Sequence, residues 1–290
     1  MTAGYRRVQA ADRSRHDASL GEAVAGARGF LPLSRARFEA RLEAGLAEAK
    51  QRGIGFTLGG FAARRALGKA LIIDTDPRLI EFRLEHRVSQ GDCVTLIRDR
   101  FLGAGDWRPI LSKIRNSSTY QEVEAIARAG LDYRRTDAFR TAMERAGSQK
   151  PVNRNFVALK SPELVESYFR QTAELCRSVQ EHGLLRRSDH GRRLGESLRH
   201  PRVRLPWVEL GESEIGAAIG QAGEIYRFAS GKHRTAAAQA LGLTSMPVEV
   251  RMVHANWLEK RMAESGLRPT EALLLGVRGL DRKSAEAVSA

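Results

Sequence analysis

The chain has 290 residues, of which 42% are hydrophobic, and none of its apolar runs approaches the length of a membrane span. That excludes a bilayer-spanning helix and describes an ordinary globular protein with a sizeable core. The net charge of +14 favours an anionic partner, whether nucleic acid, nucleotide or a phosphorylated or acidic sugar, unless the excess arginine is simply solvated. Cys93 and Cys176 lie far apart with no CxxC spacing, so both read as small buried apolar side chains rather than a disulfide or zinc site. The first residues lack the apolar stretch of a signal peptide, and the expected location is cytoplasmic.

Residues 1–30 are polar, rich in Ala, Gly and Arg, and read as a loose arm. Ser34 then caps a helix reaching Lys50, with Phe38, Leu42 and Leu46 on one face. Residues 53–60 form a Gly-rich loop without the GK(T/S) of a P-loop. Residues 70–74 are a short strand ending in a turn at Asp74–Thr75–Asp76–Pro77, and residues 86–98 are ambiguous between strand and helix. Helices follow at 120–129 and 137–145, then a linker at 147–155. Ser161-Pro162-Glu163 opens a further helix that Gly183 ends. The stretch after it is the most basic in the chain: Arg186, Arg187, Arg192, Arg193, Arg199, Arg202 and Arg204. It is either an anion or nucleic-acid grip or a solvated loop, and only Trp207 is near to stack on bases.

Residues 215–219 and 224–228 form a hairpin around Gly220 to Gly223. Ser230 and Gly231 stop the second strand, an Ala-rich helix spans 235–241, Gly242 caps it, and 246–250 is the next strand. His254 opens another helix to Ser265, and a last one frays towards the end. Gly231-Lys232-His233-Arg234 therefore lies on a sharp strand-to-helix turn. Free N–H groups, the helix dipole, a glycine and three potentially cationic side chains are the parts of a phosphate site. Arg234 suits a bidentate grip, Lys232 a point charge, Thr235 a hydroxyl contact or a cap, and His233 proton transfer or a cap. Glu214, entering the hairpin, is the candidate base, and no metal motif is visible.

The run from Ile225 through GKHRTAAA and Leu241-Gly242-Leu243 to Pro247-Val248 resembles the ParB/sulfiredoxin-like superfamily, most closely its uncharacterised ParB-like members. Residues 178–185 resemble the helix end that precedes the family's second strand, but Arg186-Arg187 follows where the family often has Gln-Pro. The likeness covers about a third of the chain, and one fold hosts several chemistries. It implies that residues 231–235 bind the phosphates of ATP or CTP with Mg²⁺. Lys232 stands where sulfiredoxins carry their reactive Cys, which argues against that activity. Two functions follow. One is an ATP-dependent phosphotransferase on a small hydroxyl-bearing or acidic substrate, with Glu214 and His233 catalytic. The other is a basic DNA- or RNA-binding protein, although the tail shows no clear helix-turn-helix. The expected fold is α/β (α+β). A ParB/sulfiredoxin-like domain with a small mixed sheet would occupy 151–266, a mainly helical region 31–150, and a helix and tail 267–290. The oligomeric state is not legible.

Overall fold

A computed structural model describes residues 4–7, 34–90, 93–154, 157–186 and 214–289. The fold is mixed α/β, as expected. Its centre is an eight-stranded sheet in the order β2(Gly55–Gly59), β7(Arg100–Ala104), β13(Met246–His254), β11(Ile215–Ile219), β12(Ile225–Phe228), β4(Phe82–Leu84) and β8(Leu111–Lys113), with β3(Ile72–Thr75) also pairing β13. The nine residues of β13 have β11 along one edge. Along the other edge they pair β3 at Met246–Glu249 and β7 at Val253–His254. β11 and β12 form the expected hairpin, and β12 then runs parallel to β4.

The N-terminal half is more mixed than its helical periodicity suggested. Five of the eight strands come from it, so one sheet spans both sides of residue 150. Those strands are short and carry Gly and Arg, and the alternation that marks a strand has little room to develop in them. The Gly-rich loop at 53–60 is largely β2, and the ambiguous segment at 86–98 is the hairpin β5(Arg87–Gln90) and β6(Cys93–Leu96). Part of the arm docks: β1(Tyr5–Arg7) pairs β5, and the Tyr5 hydroxyl donates to the Ala104 carbonyl. The linker at 147–155 runs into a two-stranded hairpin of β9(Asn153–Arg154) and β10(Val157–Ala158).

The helices form where caps and periodicity place them. Ser34, Ser117, Thr136 and Ser161 cap α1(Arg35–Arg52), α3(Ser118–Arg128), α4(Asp137–Arg145) and α5(Pro162–His182) by accepting from backbone N–H groups. α2(Gly60–Leu67) follows β2, α6(Lys232–Ala240) connects β12 to β13, and α7(Ala255–Ser265) and α8(Pro269–Ser289) close the chain. The central sheet is buried on both faces. Ile225, Ala217 and Val250 face the large core, which includes residues from all eight described helices. Ala218, Phe228 and Met252 face a smaller core with Tyr5, Val88, Trp107 and Ile110. Near-continuous apolar runs such as β11 are what a strand covered on both sides requires. No described helix is long and apolar enough to cross a membrane. Cys176 is buried, and burial raises its thiol to about 11. The side chain of Cys93 lies outside the described residues.

Candidate anion site at the start of α6

β12 ends at Phe228, Ala229 adopts φ 66°, and Gly231 at φ 86° precedes α6 as its N-cap residue. A left-handed conformation at a non-glycine residue such as Ala229 is strained. A Cβ on Gly231 would lie 2.8 Å from Ile215 Cγ1 and 3.0 Å from its Cα, so close packing and positive φ both require glycine there. Ser230 Oγ donates to the Glu214 carbonyl at 3.0 Å, and Arg251 Nη2 donates to the same oxygen at 3.3 Å, tying the turn to the start of β11.

The cations that gather at this turn come mainly from outside it. Arg227 sits on the same face of β12 as Ile225, because strand side chains alternate. It is 8% exposed, and among the described residues its guanidinium makes neither a hydrogen bond nor an ion pair. Burial and then the charge of Arg83, its neighbour on β4, push it down to about 10. Arg83 Nη2 lies 3.0 Å from Glu85, which also accepts from Ser112 Oγ at 2.7 Å. Desolvation, then the charges of Arg227 and Arg154, lower the Lys232 ammonium, although the side chain as a whole is exposed. Arg154 Nε donates to Glu122 Oε1 at 2.6 Å. Among the described residues, four cations, Arg83, Arg154, Arg227 and Lys232, thus face two carboxylates, Glu85 and Glu122, an excess of two positive charges.

His233 packs where α6 meets α3 and α5. Its Nε2 is 3.2 Å from the Tyr168 hydroxyl, which lies 3.1 Å from Glu122 Oε2. Burial, then Lys232, Arg154 and Arg227, push His233 down to about 3, so it is neutral at neutral pH. Thr235 is fully buried and does not cap the helix, and its hydroxyl has no partner among the described residues. Arg234 is half-buried and already engaged within the protein. Glu214 is 2% exposed. Its backbone supports the turn, and burial seals its carboxylate from solvent. In the basic stretch after α5, Arg186 pairs with Asp74. Arg187, Arg192, Arg193, Arg199, Arg202 and Arg204 lie outside the described residues.

The structure therefore joins Gly231, Lys232 and His233 in one place and adds Arg83, Arg154 and Arg227, which the sequence reading did not single out. Arg227 had a local signal: its alternation with Ile225 puts an arginine on the buried face of a strand. Arg83 and Arg154 had none, since only the tertiary fold brings them here. Mg²⁺ finds a poor donor set. Glu85 and Glu122 are held by Arg83 and Arg154, Glu214 is sealed, and among the described residues no His/Cys/Asp/Glu group suits a metal. No family model, no curated protein and no solved structure matches this chain.

Proposed function

We propose that this protein binds a phosphate group at the start of α6, as the terminal phosphate of a nucleotide such as ATP or CTP. The observation that carries the reading is Arg227, a buried guanidinium without a partner among the described residues, set beside like charges. An uncompensated buried charge is destabilising by several kcal/mol, roughly, unless something pairs with it. The excess of two charges matches a phosphate monoester, which carries about −1.5 to −2 at neutral pH. The N–H groups at the start of α6 add donors and a favourable dipole.

The ATP-dependent phosphotransferase reading rests on the resemblance of residues 225–248 and on this anion site. Within it, Arg83, Arg154, Arg227 and Lys232 would hold and neutralise the phosphate. No step is assigned to Mg²⁺, because the carboxylates at hand are committed to arginines. Calorimetric titration with ATP, CTP, ADP and inorganic phosphate, on the parent and on Arg227→Met, tests the proposal. Binding by the parent, weakened about 10- to 100-fold in the variant, is expected for loss of a charged hydrogen-bonding partner. No binding, or equal binding by both proteins, overturns it.

A further inference from the structure

A phosphotransferase needs an acceptor hydroxyl and a group that orients it and takes its proton. Glu214 is a poor choice for that group, since it is 2% exposed. The register of the central sheet supplies another pair. Arg227 on β12 lies opposite Arg83 on β4, and Arg83 lies opposite Ser112 on β8. Directly paired residues share a face of the sheet. Ser112, Arg83 and Arg227 therefore stand in one row, with roughly 4.8 Å between neighbouring strands. Ser112 Oγ donates to Glu85 Oε1 at 2.7 Å, and the same oxygen lies 3.0 Å from Arg83 Nη2. A hydroxyl bonded to a carboxylate that a third group holds in place is the arrangement of an activated nucleophile. Ser112 is half-buried rather than sealed, and β8 is an edge strand of the sheet.

We propose that Ser112 is the nucleophile of this site and takes the terminal phosphoryl group of the bound nucleoside triphosphate, becoming phosphoserine. Glu85 accepts the Oγ proton as the Oγ–P bond forms. The bond from phosphorus to the bridging oxygen breaks, and the nucleoside diphosphate leaves. Arg83 holds Glu85 and, with Arg227, stabilises the charge on the phosphoryl oxygens. Phosphoryl transfer depends mostly on positioning and electrostatic stabilisation, so a carboxylate fixed by an arginine suffices to orient the hydroxyl. The product is a monoester of about −1.5 to −2, beside the cations that held the donor phosphate. The step rests on the phosphotransferase reading above and supplies the acceptor hydroxyl for it.

The parent is incubated with ATP or CTP, and its phosphorylated residues are mapped by mass spectrometry, with calorimetric binding of the same nucleotide run alongside. Phosphate should appear on Ser112 and be lost in Ser112→Ala and in Arg227→Met. Glu85→Gln should slow the labelling about 100-fold, the lower end of what a general base contributes. Nucleotide binding without label on Ser112 overturns the nucleophile role and leaves phosphate binding standing. Label on another residue alone, or label on Ser112 that survives Arg227→Met, overturns it as well. If neither binding nor label is seen, the phosphate reading fails and this inference with it. The parent result needs no variant, so a folding defect in any substitution does not shelter the proposal.

Discussion

Two clusters of buried charge sit within the same fold and are built in opposite ways. In the first, Glu249 lies between two arginines, with Arg64 Nε and Arg251 Nε each 2.9 Å from one of its carboxylate oxygens. Arg251 goes on to the Glu214 carbonyl, and a Cβ on Gly216 would strike its side chain at 2.8 Å. The cluster is closed: charge meets charge, and the backbone leaves room only for that. In the second, at the start of α6, Arg227 has no such carboxylate partner among the described residues, and the like charge of Arg83 lies beside it. A fold able to neutralise one buried arginine did not do so for the other. On the proposed reading, that contrast separates charge that supports structure from charge held ready for a ligand.

The sharpest way to break the comparison is to remove the carboxylate of the closed cluster. Glu249→Ala leaves Arg251 buried without the carboxylate that neutralises it and should destabilise the protein by about 3–5 kcal/mol, read by urea denaturation. The counterpart in the open cluster has the opposite sign. Arg227→Met removes an uncompensated charge while keeping an apolar stem, and stability without ligand should hold or rise by about 1–3 kcal/mol. A third change tests the turn that carries the open cluster. Gly231→Ala puts a methyl against Ile215 at positive φ and should cost about 2–3 kcal/mol, with loss of phosphate binding.

A smaller effect follows from pH. His233 is lowered to about 3 by burial and its cationic neighbours, and His254 is lowered chiefly by burial. Each holds a proton less readily in the folded state than in the unfolded chain, where it is protonated below about pH 6.5. The unfolded state then binds more protons, so stability falls as pH drops from about 6.5 towards the folded values, by up to about 1.4 kcal/mol per unit for each histidine. Denaturation midpoints at pH 7.5 and 5 check this. With phosphate present, the His233 share should shrink, because the bound anion offsets the cations that hold the ring neutral.

Much of this architecture was legible because its signals are local. Ser34, Ser161 and Gly183 mark helix ends by capping, and the Gly220–Gly223 turn and the strand-to-helix break at Ser230-Gly231 follow from backbone chemistry. The sheet was not legible. β4 and β8 are three residues each and gain their stability from strands far away in sequence. The site divides in the same way. The turn itself could be read, but Arg234 drew attention because it sits in the motif. Arg83 and Arg154 reach the same place through the fold, and Arg227 differs from an ordinary strand arginine only by facing inward. Glu214 and Thr235 looked available from the sequence, but the close packing of β11 against the turn buries both.

The most direct test pairs two readings on one substitution. Urea denaturation of the parent and of Arg227→Met is measured with and without saturating inorganic phosphate. The account predicts a variant at least as stable as the parent in the absence of phosphate. It also predicts that the ligand-dependent gain, about 2.7 kcal/mol for the parent at a hundredfold excess over Kd, vanishes in the variant. A variant that loses about 2 kcal/mol or more without phosphate, or one that gains as much from phosphate as the parent does, would show that Arg227 is a structural charge like Arg251 and that the two clusters do not differ in purpose.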